Sequence, residues 1–347
     1  MSVDRLDRVL ARLVPWSGSA PQPLDREGVA IAELVAGAGH HRLVGVLGAA
    51  VAAGDLEVEG DEADLVARGH ATAMAEVLLL EESLLDAIDI LDEADIDHRL
   101  LKGSALAHTV YPDPSHRSFG DIDLLVRSAD IDRAVAVLGD GGADRPIPAL
   151  SADFDSRFAK SVTLRWRRDT ELDLHRTLAP APFGLRIVLE DLWAEPGRFD
   201  LAGVTVSTLS PELHLLNGAY HSVLGDTEPR LGNLRDLALL IGTGLDTDLV
   251  VETAARWQGQ AVLARAIELV RSVGAPVGEL GDWADRMVVT ATDRRRLEAY
   301  GRRAGRFRRQ AMATLAELGW RDRIAYARAV ALPVRAHRRA RKRSGSG

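Results

Sequence analysis

Two aspartates in the stretch 100–126 are spaced so that they could hold a metal ion. The stretch reads LLKGSALAHTVYPDPSHRSFGDIDLLV, and Asp121 and Asp123 stand two positions apart in its last segment. Residues two apart in a β-strand point to the same face, so these carboxylates project together. Neighbouring carboxylates repel each other unless a positive charge lies between them, and a hard divalent cation meets that need. The pair therefore predicts a cation site.

A turn suited to binding phosphate stands at the front of the same stretch. Gly103 and Ser104 follow the apolar residues Leu100 and Leu101 and open a segment with helical character, residues 104–110. A glycine at a strand-to-helix turn lets a phosphate group approach the backbone, and the free N–H groups of the new helix attract the anion. A phosphate site and a carboxylate pair in one short unit indicate a nucleoside triphosphate bound with magnesium.

A third carboxylate is predicted on a later strand. Residues 160–168 alternate between apolar and polar side chains, and residues 171–175 resume the alternation after a short turn. The two segments together predict a β-hairpin. Asp173 and His175 share one face of its second strand. Asp173 could therefore complete the metal site begun by the aspartate pair.

Four segments of this region resemble those of a known family. They are LKGS at 101–104, a Tyr111-Pro112 loop with Arg117, DIDLLV at 121–126, and ELDLH at 171–175. Their order resembles the polymerase-β-like nucleotidyltransferase superfamily, and more closely the large bacterial family of uncharacterised nucleotidyltransferases.

The resemblance implies nucleotidyl transfer by a two-metal mechanism. In such sites two cations about 3.5–4 Å apart neutralise the phosphates and prepare a hydroxyl group to attack. Asp121 and Asp123 would bridge the cations, and Asp173 would hold the cation that activates the acceptor or would take its proton. The residues expected to contact the triphosphate are Lys102, Gly103, Ser104 and Arg117.

Structural roles are the alternatives for several of these residues. A short Asp-x-Asp segment is commonly just the exposed end of a strand. Strand alternation could aim Lys102 away from the phosphates. The planar fork of Arg117 could clamp a phosphate, or it could pair with Asp113 as an ordinary loop contact.

A second group of residues could bind the base or the acceptor. His175 shares a strand face with Asp173, so it could contact the metal shell or the acceptor, or it could form a structural hydrogen bond. By the resemblance, a helix that carries a histidine and a following Arg-Asp pair packs over the cleft. His221, Arg235 and Asp236 occupy those positions, and a buried ion pair that joins helices is their alternative role.

The overall composition is that of a soluble globular protein. The chain has 347 residues, of which 46% are hydrophobic and 27% are charged, and this length predicts two or three domains. No apolar run is long enough to cross a bilayer, and the first ten residues lack a signal-peptide core. The absence of cysteine excludes disulfides and thiolate metal sites, and we expect a cytoplasmic protein.

Positive charge is concentrated near the C-terminus. The net charge of the whole chain is −8, but residues 301–347 contain fourteen Lys or Arg and only two acidic residues. This basic segment could attract RNA, an acidic partner or an anionic membrane, so nucleic acid is one candidate partner. Its aromatic residues are widely spaced, which favours a solvated helix face and a basic tail.

These observations predict a multidomain α+β protein. A small mixed β-sheet has helices on one face and the active site on the other. The predicted parts are an N-terminal helical region (1–70), a nucleotidyltransferase core (71–206), a C-terminal helical domain that closes the cleft (207–334) and a basic tail with a disordered tip (335–347). The clearest helix is 71–95, because it lacks Gly and Pro and is rich in Ala, Leu and Glu.

The expected activity is transfer of a nucleoside monophosphate from an NTP to a hydroxyl group, with Mg²⁺ or Mn²⁺ as cofactor and pyrophosphate as product. One alternative is a toxin-like enzyme of the abortive-infection type, which modifies tRNA with the same catalytic parts. Another is a non-catalytic module that binds a nucleotide or a partner, and a third is an accessory protein of a biosynthetic pathway. The sequence does not identify the acceptor or the base, because fold does not determine function.

Overall fold

Helices make up most of the fold. The computed structural model describes residues 5–18, 23–225, 228–301, 305–337 and 340. The helices before the sheet are α1 (Arg5–Ala11), α2 (Ile31–His41), α3 (Val44–Ala52) and α4 (Gly60–Glu93). The helices between strands are α5 (Gly103–Thr109), α6 (Ile131–Asp140) and α7 (Phe154–Arg157). The helices after the sheet are α8 (Pro211–Leu224), α9 (Leu231–Gly242), α10 (Thr247–Arg256), α11 (Gln260–Ser272), α12 (Gly278–Arg286), α13 (Ala291–Glu298), α14 (Arg306–Glu317) and α15 (Trp320–Ala331).

The strands form one mixed sheet. They are β1 (His98–Leu101), β2 (Ile122–Val126), β3 (Ser161–Arg165), β4 (Glu171–His175), β5 (Gly197–Leu201) and β6 (Val204–Thr208). Their order across the sheet is β3-β4-β2-β1-β6-β5. The pairs β2–β4 and β1–β6 are parallel, and the other neighbours are antiparallel. The sheet therefore brings β2 beside β4, although the two are far apart in the sequence.

The two faces of the sheet have different roles. Ile122, Leu124 and Val126 of β2 are buried in one hydrophobic cluster with residues of α4 and α6. Because side chains alternate along a strand, Asp123 projects from the opposite face. This confirms the predicted α+β arrangement, with helices packed behind the strand that carries the aspartate.

The helices at the two ends of the chain share a second hydrophobic core. Leu10 of α1, Leu34 of α2 and Leu47 of α3 belong to the same buried cluster as Leu216 of α8 and Leu237 of α9. The N-terminal helices therefore pack together with the C-terminal ones and do not form a core of their own. Burial of this apolar surface is what holds the two terminal regions against each other.

Two elements differ from the sequence prediction. Helix α4 begins at Gly60, eleven residues before the predicted start, where Glu59 and Glu62 form a capping box. Gly69 lies inside it because a Cβ there would come within 2.8 Å of Val35. Strand β5 is not predicted at all, although the β3–β4 hairpin is confirmed.

The domain limits themselves stay a prediction. Helix α4 crosses the predicted limit at residue 70, and α8 begins close to the predicted limit at 207. Near the C-terminus, Tyr326 of α15 packs with Phe158 in a small third cluster. Much of the predicted basic tail lies outside the described residues.

Candidate active site and metal centre

Asp123 and Asp173 lie side by side on two parallel strands. The register of β2 and β4 pairs Asp123 with Asp173 and Leu124 with Leu174. Both leucines are fully buried in the cluster that includes α4 and α6, so both aspartates project from the other face. The structure thus brings together two of the three carboxylates predicted for the metal site.

His175 and Thr163 fix the orientation of these two carboxylates. Nε2 of His175 donates a 2.7 Å hydrogen bond to Oδ1 of Asp123 and lies 3.9 Å from Oδ2 of Asp173. Thr163 on β3 donates a 2.5 Å hydrogen bond to Oδ1 of Asp173. One ligand atom from each of Asp123, Asp173 and His175 lies within 4.8 Å of the others. A group this compact could hold a single metal ion.

A lysine lies against the buried carboxylate. Nζ of Lys102 is 2.9 Å from Oδ2 of Asp123. Burial would raise the pKa of Asp123, but Lys102 and His175 outweigh it and hold this pKa well below its usual range. Burial would likewise lower the pKa of Lys102, but Asp123 and Asp121 raise it above its ordinary value. The site therefore contains a carboxylate and an ammonium group, both charged, within contact distance.

Asp121 stands at the edge of the site. It comes one residue before β2, is half-buried and lines a pocket together with Lys102, Gly103, Glu171 and His221. Its carboxylate is not part of the compact group that Asp123 and Asp173 form with a histidine. Asp121 therefore lines the pocket, whereas Asp123 and Asp173 form the compact group with His175.

The turn between β1 and α5, which is predicted to bind phosphate, has a strained backbone. Gly103 has φ 43°, and Lys102, which is not glycine, has φ 45° with ψ −151°. Such a conformation costs about 1–3 kcal/mol and persists where the surroundings impose it. The backbone of Gly103 faces the pocket, whereas the hydroxyl of Ser104 donates a 2.5 Å hydrogen bond to Glu81 of α4.

Arg117 makes a buried ion pair with Asp236 of α9. Its Nε donates a 2.8 Å hydrogen bond to Oδ1 of that carboxylate, and its Nη2 donates one of the same length to Oδ2. The hydroxyl of Tyr111 donates a 2.7 Å hydrogen bond to Oδ1. The predicted alternative partner, Asp113, accepts instead from the backbone of Ser115. Burial would lower the pKa of Arg117, but Asp236 raises it. Arg117 also lines the pocket, so any contact with phosphate would be made by a side chain already fixed in place.

The other two residues predicted near the base or acceptor have separate surroundings. Arg235 is fully buried and donates from Nη1 to the backbone carbonyls of Leu13, Val14 and Trp16. It therefore fastens the N-terminal segment to α9. His221 lines the pocket, and the charge of Lys102 together with burial holds its pKa well below the ordinary value, so its imidazole is neutral.

The pocket also contains residues that the sequence analysis missed. Arg42, just after α2, and Arg230 and Asn233, at the start of α9, line it together with Asp121. No local pattern marks Arg42, because it lies in a helical region without any recognisable motif. Its place in the pocket depends on the contact between α2 and α9, which the sequence does not reveal.

The residues present fit a divalent cation. Asp123 and Asp173 offer carboxylate oxygens from adjacent strands, and Asp121 lies near them. Oxygen ligands of this kind are those that Mg²⁺ and Mn²⁺ prefer. His175 is hydrogen-bonded to Asp123, as partners of metal-binding carboxylates commonly are.

The fold and the site define a class of protein. A mixed sheet with aspartates on adjacent parallel strands, beside a glycine turn that opens a helix, is the arrangement of a nucleotidyltransferase. A family model described as "Uncharacterised nucleotidyltransferase" matches residues 27–274, and the chain belongs to this family. The resemblance noted in the sequence is thereby confirmed. Among the described residues, no helix is long and apolar enough to pass through a membrane.

A solved structure also resembles the chain. It is the crystal structure of an antigenic nucleotidyltransferase-like protein from Paracoccidioides brasiliensis, with 18% sequence identity and a TM-score of 0.35. The match covers 58% of this chain and 94% of that chain. No curated protein matches the sequence.

Proposed function

We propose that this protein transfers a nucleoside monophosphate from an NTP to a hydroxyl group of an acceptor and releases pyrophosphate. The observation that carries the proposal is the pairing of Asp123 with Asp173 across parallel strands, next to the strained turn at Gly103. Nucleotidyl transfer needs a cation at the α-phosphate and a backbone that a triphosphate can approach. Asp123 and Asp173 would hold such a cation, and the turn at Gly103 would admit the phosphates.

The aspartates would hold Mg²⁺ or Mn²⁺. Asp123 and Asp173 would be the principal ligands, with Asp121 at the pocket edge as a further one. When bound, the metal neutralises charge on the phosphates and lowers the pKa of a coordinated hydroxyl group. His175 keeps the carboxylate of Asp123 in place through its hydrogen bond.

The reaction balances without any further reagent. The acceptor oxygen forms a bond to the α-phosphorus, and the bond from that phosphorus to the bridging oxygen of pyrophosphate breaks. The acceptor proton passes to Asp173 or to solvent. Asp173 suits this role because it is half-buried, whereas Asp123 is only 4% exposed and engaged by Lys102 and His175.

Three other pocket residues would bind the nucleotide. The backbone of Gly103 would approach the phosphates, with Lys102 next to it. His221 is neutral, so it can donate one hydrogen bond and accept another from a base or a ribose without adding charge.

The position of the radioactive label tests the reaction. The protein is incubated with each NTP, labelled at the α- or the γ-phosphate, with Mg²⁺ or Mn²⁺ and a cell extract fractionated by size. We expect label to move to an acceptor from α-labelled NTP only, because the γ-phosphate leaves in pyrophosphate. Transfer from γ-labelled NTP would indicate a kinase instead.

Matched variants separate catalysis from contamination. Asp123→Asn and Asp173→Asn should each lower transfer at least about a hundredfold, because each removes a charged metal ligand. Asp89→Asn, on the exposed face of α4, is the control and should leave transfer unchanged. Circular dichroism verifies that all three variants fold.

The fraction that takes up label distinguishes the alternatives. Label on tRNA would favour the toxin-like enzyme of the abortive-infection type, and the basic C-terminal segment would then be its candidate RNA contact. Binding of NTP without transfer to any fraction would favour a non-catalytic nucleotide-binding module. Stable co-purification with a partner enzyme, without NTP binding, would favour an accessory protein.

A further inference from the structure

Two arginines far apart in the sequence, Arg42 and Arg230, line the pocket beside each other. Arg42 follows the last turn of α2 in a left-handed conformation, φ 64°. Arg230 immediately precedes α9. Both are half-buried, and both line the pocket that contains Gly103 and Asp121.

Close backbone packing fixes the two arginines relative to each other. The N–H of Leu231 donates a 3.2 Å hydrogen bond to Nδ1 of His41. A Cβ on Gly232 would lie 2.5 Å from the carbonyl oxygen of His41 and 3.0 Å from Cβ of Arg42. Only a glycine therefore lets α9 approach α2 this closely, and the approach sets Arg230 next to Arg42.

The two guanidinium groups have no protein partner among the residues that the structure describes. Neither forms a hydrogen bond or an ion pair with any residue that the structure describes. The buried Arg117, by contrast, is paired with Asp236, and Arg235 with three carbonyl groups. Arginine in a pocket without such partners is available for an anionic ligand.

The position of Arg42 places its charge near the metal ligands. A Cβ on Gly120 would lie 3.1 Å from both Nη1 and Nη2 of Arg42, so the guanidinium lies against the backbone just before Asp121. Burial lowers the pKa of Arg42, and Asp121 opposes this effect. The Arg42 guanidinium therefore lies next to Asp121, a proposed metal ligand, but is not itself a metal ligand.

From this geometry we infer that Arg42 and Arg230 bind the terminal phosphates of the nucleoside triphosphate. The inference rests on the proposed function and adds the residues that select a triphosphate over a monophosphate. A planar guanidinium donates two parallel hydrogen bonds to a phosphate, and two such groups neutralise much of the charge of the β- and γ-phosphates. The N-terminal helical region thereby contributes directly to the substrate site.

Binding measurements test this inference without relying on turnover. Isothermal titration calorimetry is performed in Ca²⁺ with inorganic tripolyphosphate, the four NTPs and the four NMPs. Arg42→Gln and Arg230→Gln should each weaken binding of tripolyphosphate and of the preferred NTP at least about tenfold, because charged hydrogen bonds are lost. NMP binding should change less than about twofold, because NMPs lack the terminal phosphates.

Two further variants supply the controls. Arg198→Gln removes one positive charge from the exposed edge strand β5 and should leave all affinities unchanged. Arg42→Lys keeps the charge but loses the fork, so its affinity should lie between those of the wild type and Arg42→Gln. Thermal melting establishes that each variant is folded.

The outcomes separate the two proposals. If the wild type binds NTPs and tripolyphosphate, but the Arg42 and Arg230 variants bind them equally well, the arginine assignment is wrong and the proposed reaction stands. Equal weakening of NMP and NTP binding would also overturn the assignment, because the contact would then be to the nucleoside or α-phosphate. If the wild type binds none of these ligands, both proposals fail.

Discussion

The ammonium group of Lys102 lies 2.9 Å from Oδ2 of Asp123, and the charges of Asp121 and Asp173 also act on it. A lysine in this position and a metal ion compete for the same carboxylates. Binding of a metal ion would therefore require Lys102 to move, and the phosphates of a bound nucleotide would offer it a new partner.

Replacing Lys102 should make the metal bind more tightly. We expect Lys102→Met to increase Mn²⁺ affinity at least about threefold in the absence of nucleotide, because a competing cation is removed. Titration of Mn²⁺ followed by electron paramagnetic resonance measures the affinity, and Arg198→Gln is the control. Weaker binding in Lys102→Met would mean that the lysine orients Asp123 and does not compete with the metal.

His175 should act on the metal through Asp123. His175→Ala removes the hydrogen bond to Oδ1 of Asp123, and loss of such a supporting partner weakens metal binding about 10–100-fold. His175→Gln should recover part of the affinity, because its amide nitrogen can donate from a similar position. The same Mn²⁺ titration measures both variants. No recovery in the glutamine variant, with both proteins folded, would argue that His175 binds the metal directly.

Asp236 should contribute to stability more than its neighbours in the hydrogen-bond network. Asp236→Asn leaves the buried Arg117 guanidinium without a charged partner, which costs about 3–5 kcal/mol of unfolding free energy. Tyr111→Phe removes one neutral donor to that carboxylate and should cost about 1 kcal/mol. Urea unfolding followed by circular dichroism gives both values. Equal costs for the two variants would contradict the view that the charge pair dominates.

His214 should make the folded state sensitive to mild acid. It is buried on α8, and burial lowers its pKa from 6.5 to about 3. Its Nε2 donates to the hydroxyl of Thr208, which in turn donates to the backbone carbonyl of Leu100. Because of the lowered pKa, the ring is neutral in the folded protein. The unfolded chain takes up the proton below pH 6.5 and the folded protein does not. Stability is therefore complete above this pH and falls by about 2 kcal/mol on reaching pH 5.

Unfolding free energies measured in urea at pH 7.5 and pH 5 test this dependence. His214→Gln keeps a donor near Thr208 but cannot be protonated, so its stability should change less between the two pH values. An identical pH dependence in the variant and the wild type would assign the acid sensitivity to other groups.

The local part of the site could be predicted from the sequence, because it depends on short-range periodicity. Alternation along a strand places Asp173 and His175 on one face, and the turn residues place Gly103 at the start of a helix. The parallel pairing of β2 with β4 follows from long-range packing, which no local pattern encodes. Arg42 was missed for the same reason, since its position depends on the contact between α2 and α9.

The missed strand β5 has a physical explanation. It lies at the edge of the sheet and carries Arg198 and Asp200, so its pattern is too polar to resemble a buried strand. It joins β6 through Ala202 and Gly203, both with positive φ. A two-residue hairpin turn of this kind is usually predicted from Asn-Gly or Asp-Gly, and Ala-Gly is not a recognised signal for it.

Arg235 and Asp236 are consecutive residues of α9 with different partners. Arg235 donates to the carbonyl oxygens of Leu13, Val14 and Trp16. Asp236 holds Arg117 at the pocket. The family match begins only at residue 27. A protein trimmed to that match would strip a buried guanidinium of every one of these acceptors, and the helix bearing it also holds Arg117 at the pocket. The smallest version of this protein that folds stably should therefore be longer at its amino end than the family match.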